Sequence, residues 1–416
     1  MAETTWLEDV KLIEKYGALK QSIEVDIAII GAGITGSTAA YLLKNQGKKV
    51  ALIEKGIIGQ ESVTSYTTGF LSMFADNGLT ETIETFGARK AKLVWKSQQS
   101  AIEEIASIVK KEKIDCEFVR CSEYFYANDN NQAMGLKEET AAAKKMGFDV
   151  KFKIDNHLPF PNSGYMEVRN QGKFHSTKYI TALVNLAAKS GVQVFEKTEI
   201  TNVEPDKQVI LKTNKHTVTA KQVFIATHDP IYNPFKIYSK KGMYQTYMIE
   251  AAIEKGLFEE ATYDDEDNPY HYFRVDSQPV KDRIIIGGED HRQDIKIPED
   301  KNFKALEQYL QQIMNGRPYK IIKKWAGPII EPVDGLPLIG WANKEKTLYL
   351  ATAFSGTGMT FGTLSGMMFK QEVQSEKNLY KSIYNPNRIP SIKQLWQKGK
   401  DYSGELIGGA ATNIFK

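Results

Sequence analysis

A chain of 416 residues exceeds one typical domain and can bury two cores, and 42% hydrophobic with 25% charged residues is ordinary for a soluble globular protein. A net charge of +3 over that length gives no electrostatic basis for binding nucleic acid or a membrane surface. No apolar run approaches the length of a membrane span, and the first residues lack a basic-then-apolar leader pattern, so the chain reads as cytoplasmic.

Taken in chain order, the first strong element is an apolar strand over 25–30. It runs into Gly31-x-Gly33-x-x-Gly36, a helix-compatible segment over 37–45, and a second apolar strand over 50–53 that ends on Glu54. Gly31 permits the tight turn, Gly33 lets backbone approach a pyrophosphate, and Gly36 lets helix and strand pack closely. The helix start, at Ile34 and Thr35, offers unpaired N–H groups and a partial positive charge to phosphates. Glu54 is placed to accept hydrogen bonds from ribose hydroxyls, with Lys55 beside it. Strand, glycines, helix, strand and acid in this order predict a dinucleotide site. The small hydroxylated residues Ser65, Thr67 and Thr68 follow, of a kind that suits hydrogen bonds to phosphate; the plain alternative is a solvated loop.

Helical periodicity follows over 81–112, with a break at Gly87. Cys116 and Cys121 form neither a C-x-x-C motif nor half of a zinc site and are expected to be buried free thiols. A helix is predicted over 177–189 with Ser176 as N-cap, then a strand over 192–195, a hairpin of 209–212 with 217–220, and a third strand over 223–226. The run Asp264-Asp265-Glu266-Asp267 reads as solvated loop residues. A further helix is predicted over 302–315. A strand over 347–352 leads through Ser355-Gly356-Thr357-Gly358 into a helix. Nucleotide-binding character at both ends and in the middle implies a discontinuous cofactor domain with substrate-domain segments inserted.

With these pieces the chain resembles the FAD-dependent oxidoreductases of the D-amino-acid oxidase and glycine/sarcosine oxidase superfamily over nearly its whole length. The resemblance is carried by 198–203 around Ile200, by Phe224-Ile-Ala226-Thr227-His228, and by Asp334-Gly335 to Gly340 with Ala351 to Thr360. Phe174-His175, Tyr270 to Arg274 and Gly287-Gly288-Glu289-Asp290-His291 resemble the branch often fused to a Rieske iron–sulfur domain. Ser65 stands where that branch usually has a His. No Cys follows residue 121 and no His follows 291, so the ligand set of a carboxy-terminal cluster is missing and flavin is the expected single redox centre.

The resemblance implies an α/β fold. A glutathione-reductase-like, Rossmann-like FAD domain would take 1–80, 165–230 and 335–385. A mixed-sheet α+β substrate domain would take 81–164 and 231–334, with a tail over 386–416. It also implies non-covalent FAD, held at Gly31, Gly33, Ile34, Thr35, Gly36, Glu54, Lys55, Ser65, Thr67, Thr68, Ile200, Ala226 and Thr227. The backbone at Gly356, Gly358, Met359 and Thr360 would face the negative charge that gathers near flavin N1. The activity implied is oxidation of a C–N bond of an amine or amino acid, with oxygen or a separate acceptor taking the electrons. The alternatives are a flavoprotein assembly or electron-transfer component, and a 2-hydroxy-acid dehydrogenase. For the substrate, Arg274 is the candidate carboxylate clamp with Tyr247 and His271 as companions; an Arg–carboxylate pair inside the sheet is the other reading. His228 and His291 read as turn histidines. The histidine spacing predicts no metal site.

Overall fold

The computed structural model describes residues 4–8, 16–75, 77–232, 241–298 and 300–389, so the expected tail lies outside the described residues from 390 onward. Two sheets carry the architecture. In the first, Ile23–Ile30 runs parallel to Thr217–Ile225 on one side and Val50–Ile53 on the other, which sets Ile29 between Phe224 and Leu52. Gln193–Phe195 and Leu348–Thr352 extend the sheet in parallel, and Leu338–Trp341 closes an edge antiparallel. Alternation sorts the central strand: Ile27 and Ile29 pack under the helices, whereas Ala28 and Ile30 pack under the antiparallel strands Asn202–Pro205 and Val209–Lys212. Both faces are covered, which is why Val50 to Ile53 are all buried.

Gly36 shows why the loop is glycine-rich. A Cβ there would lie 1.8 Å from the Gly31 carbonyl oxygen, so the helix Ile34–Leu43 seats against the turn only without one. Two local expectations change. The strands predicted over 217–220 and 223–226 are one strand, Thr217–Ile225, because its first half pairs with Val209–Lys212 and its second with Leu348–Thr352. The helix Ser176–Lys189 is capped by His175, whose Nδ1 accepts the Lys178 N–H, and not by Ser176.

The second sheet is mixed: Thr262–Asp265 pairs in parallel with Val119–Ala127, and its other pairings are antiparallel. Phe70–Leu71 and Gly164–Lys173 are strands of this sheet, which shifts the expected boundaries at 80 and 165. One face is covered by the helix Lys301–Met314 through Leu306, Tyr309, Leu310 and Ile313, packed on Ile249, Phe273 and Ile286. The helix Ala88–Glu112 docks on the helix Gly358–Val373, where Gln98 donates to Thr360 Oγ1 at 3.0 Å. Trp6 is fully buried, clustered with Met248, Ile285 and Trp325 of the second sheet. Its indole meets His175 edge-on, lies under the Arg274 and Arg283 guanidinia, and donates to the Thr67 carbonyl. Among the described residues no helix is long and apolar enough to cross a membrane.

Candidate cofactor cleft and adjoining chamber

A cleft of about 440 Å³ opens at the carboxyl ends of the parallel strands, where sheet order places ligand sites in folds of this kind. Gly31, Gly33, Ile34 and Thr35 form one wall, with Glu54 and Lys55 at one end and Ile200, Ala226 and Thr227 facing them. Thr67, Thr68, Gly356, Gly358 and Met359 stand toward the other end. Glu54 is 7% exposed, and its two oxygens accept the N–H groups of Ala32 at 2.8 Å and Gly56 at 2.9 Å. A carboxylate has about four acceptor sites, so capacity remains for ribose hydroxyls.

Three expected residues stand elsewhere. Gly36 lies behind the turn. Ser65 is fully buried, and its hydroxyl donates to the Ser62 carbonyl at 2.6 Å. Thr360 is turned into the interhelical contact with Gln98. In their place Thr64, Tyr66, Thr246, Met248, Tyr272 and His228 line the cleft. Thr64 could have been found from its neighbours: its Oγ1 accepts the Ile34 N–H at 3.0 Å and sits 3.2 Å from where a Gly33 Cβ would be.

The donors and spaces fit FAD. Helix starts at Ile34 and Gly358 point at the same cleft, and a Cβ on Gly358 would meet nothing nearer than Phe354 at 4.0 Å. Two buried polar atoms of the wall, Ser62 Oγ and His228 Nε2, have no hydrogen-bond partner among the described residues. Burial lowers the His228 pKa to about 4, so its ring is neutral. Non-glycine residues with positive φ stand around this cleft, His228 at 62°, Ala353 at 60° and Ser355 at 51°, a kind of strain that concentrates at functional sites.

A second chamber, about 530 Å³, shares Thr67, Thr68, Tyr272 and Gly356 with the cleft. Tyr272 is held in the partition because Gly287 leaves room for its ring: a Cβ there would lie 2.4 Å from the Tyr272 Cζ. Aromatic rings line the chamber, with Phe70 edge-on to Tyr272 at 5.6 Å and Phe74 4.1 Å from Phe125. So do carboxylates: Glu81, Glu123, Glu139 and the whole run 264–267. The acidic run expected to be solvated loop therefore forms chamber wall, because Thr262–Asp265 pairs beside Val119–Ala127 and carries the run to Glu123.

The catalytic candidates are corrected by the same geometry. Arg274 is 1% exposed. Its Nε and Nη2 donate to Asp276 at 2.9 and 2.6 Å, and its Nη1 donates to the carbonyls of Thr68 at 2.8 Å and Phe174 at 3.0 Å. It is the Arg–carboxylate pair inside the sheet, and it lines neither cavity. Burial alone would raise the Asp276 pKa; Arg274, Lys173 and Arg283 hold it well below the usual carboxylate range. Tyr247 and His271 lie on the strand faces turned to the helix Lys301–Met314, where Tyr247 meets Phe303 and His271 stacks on Tyr309 at 4.2 Å. His271 bonds Asp265 through Nδ1 at 2.8 Å and Glu289 through Nε2 at 3.1 Å. Burial works to lower its pKa, and those two carboxylates outweigh it and raise it. Asp265, Asp267 and His271 bring ligand-type atoms within 4.8 Å of one another, a cluster the histidine spacing did not foresee; both ring nitrogens are already hydrogen bonded there. His291 approaches the Tyr247 hydroxyl at 3.4 Å.

The profile of the DAO family, FAD dependent oxidoreductase, matches residues 26–371. The chain belongs to that family. It is 26% identical over 415 residues to YhfW of Bacillus subtilis, described as a Rieske 2Fe-2S iron–sulfur protein, covering 98% of this chain and 80% of that one. It is 20% identical over 390 residues to the gamma-glutamylputrescine oxidoreductase of Escherichia coli, covering 90% and 89%. Among solved structures, glycine oxidase from Geobacillus kaustophilus superposes with a TM-score of 0.75 at 18% identity, covering 88% of this chain and 100% of that one. The α/β fold, a Rossmann-like FAD domain beside a curled mixed sheet, is thus that of this family, and FAD is its cofactor.

Proposed function

We propose that this FAD-dependent oxidoreductase oxidises the C–N bond of an amine or amino acid to an imine, which water then hydrolyses. The observation that carries the reading is the chamber joined to the cofactor cleft across Tyr272 and Gly356 and walled by carboxylates and aromatic rings. Bound FAD would supply the two-electron acceptor, taking hydride at N5. The protein's part is to hold and orient. The helix start at Ile34 would face the diphosphate, the hydroxyl loop at Thr67 and Thr68 would run beside the diphosphate and the flavin ring, and Glu54 would meet a ribose. The Gly356–Met359 turn would present backbone N–H groups to charge on the flavin ring. Tyr66, Thr246, Met248 and Tyr272 line the cleft and would limit water beside the flavin ring. The kinship with an amine oxidoreductase and a glycine oxidase supports the same chemistry.

A 2-hydroxy acid is an anion, and among the described residues no Lys or Arg lines the chamber. The test is anaerobic flavin bleaching with a panel of amines, amino acids and hydroxy acids. Bleaching by an amine or amino acid is expected. Bleaching by hydroxy acids alone would overturn the proposal, and silence across the panel would favour an electron-transfer or assembly role.

A further inference from the structure

Among the described residues, the hydrogen bonds of four chamber carboxylates, Glu123, Glu139, Glu266 and Asp267, do not offset their charge. Glu139 accepts from Thr80 N at 2.9 Å, as well as from Leu79 N and the Thr80 hydroxyl, which are neutral donors. Asp267 accepts from the amides of Asn128 at 2.8 Å and Gln132 at 2.7 Å, also neutral. Glu266 has no side-chain hydrogen bond among the described residues. Glu123 is only 2% exposed and lines the chamber; Ser72, at 2.7 Å, is its one side-chain hydrogen-bond partner among the described residues. None of these four carboxylates has a Lys or Arg within ion-pair distance among the described residues. Such an array around one cavity repels itself: burial, and for Glu266 also the neighbouring carboxylates, holds Glu123 and Glu266 toward their protonated forms, and a guest of opposite sign would draw both to ionise. The rings of Phe70, Phe125, Tyr270 and Tyr272 point to the same class of guest, because aromatic faces attract ammonium groups and their edges cover methylenes.

We propose that the substrate is a di- or polyamine. Its reacting nitrogen sits at the Thr67–Tyr272–Gly356 junction, and a second ammonium is held by Glu123, Glu266 and Asp267 on wall the cofactor cleft does not share. The inference rests on the C–N oxidation proposed above and names its substrate class. A lone α-amino acid fits poorly, since its carboxylate would enter a cavity of like charge where, among the described residues, no guanidinium meets it.

Calorimetry on the flavin-loaded protein with putrescine, spermidine, butylamine and glycine tests binding apart from turnover. Putrescine and spermidine should bind roughly tenfold or more tightly than butylamine, with the advantage shrinking as salt rises. Glu266→Gln, on a loop where its side chain makes no hydrogen bond to the described residues, and Glu123→Gln, isosteric and able to keep the Ser72 bond, should each erode that advantage several-fold. Equal binding of putrescine and butylamine, or no binding of either polyamine, would overturn the proposal whatever the turnover. Anaerobic bleaching separates the two levels. Equal bleaching by glycine, butylamine and putrescine leaves C–N oxidation standing and removes the polyamine. Bleaching by lactate alone removes both.

Discussion

Replacing Arg274 with Met separates a structural guanidinium from a substrate clamp. The substitution keeps much of the side-chain volume and removes two donations to Asp276 and the donations to the Thr68 and Phe174 carbonyls. Breaking a buried ion pair costs about 3–5 kcal/mol. Asp276 retains Lys173 at 2.6 Å and Arg283 at 2.8 Å, so its charge is not stranded, which places the loss near the lower end, about 3 kcal/mol. Against a typical total stability of about 5–15 kcal/mol this is a large fraction. Urea denaturation of the flavin-loaded protein, followed by far-UV circular dichroism and by flavin fluorescence, should show an earlier midpoint with an unchanged slope. Flavin should also leave more readily, because the Thr68 carbonyl belongs to the cofactor loop. Stability within about 1 kcal/mol of wild type, together with a raised KM for a carboxylate-bearing substrate, would refute the reasoning and return Arg274 to the active site.

Gly36→Ala should yield protein with little bound flavin, read from the absorbance ratio after purification, since its Cβ would fall 1.8 Å from a backbone oxygen that cannot swing away. Burial raises the Glu123 pKa from 4.5 to about 7. The folded state therefore holds this proton more tightly than the unfolded chain, and the stability it contributes is present below 4.5 and lost as pH rises through about 7. That loss is on the order of 3 kcal/mol, and Glu123→Gln should flatten this part of the pH–stability curve measured by urea titration. Burial pushes the Cys116 and Cys121 thiols up to about 12, so neither should react with a thiol reagent at neutral pH until denaturant is added; fast labelling of the native protein would contradict this.

The cofactor cleft was legible because its chemistry is local: a glycine turn, a helix start and an acid after the next strand recur at fixed spacing whatever surrounds them. The chamber was not, because it is made by register. Glu123 sits in an aromatic strand that gives no hint of a cavity, and the run 264–267 reads as solvent-facing until parallel pairing sets Asp264 beside Phe125. Choosing among Tyr270, His271, Tyr272 and Arg274 needed the strand's facing: His271 and Phe273 go to the helix side, while Tyr272 goes to the cavities. One signal was present. Arg274 and Asp276, two apart on a strand, share a face, and that spacing already favours a pair over a free guanidinium.

Trp6 sets an order of events on the ribosome. It is made well before its neighbours His175, Arg274 and Arg283, and its indole N–H reaches the carbonyl of Thr67 in the cofactor loop. The first strand–turn–helix unit can form as soon as it emerges, but the loop over its mouth cannot be braced until the second sheet exists to trap the indole. Contacts of such long sequence separation form late and slowly. A nascent chain would thus pass through a stage with the nucleotide-binding turn built and the cofactor loop open, and the capture of the indole would be the closing stitch.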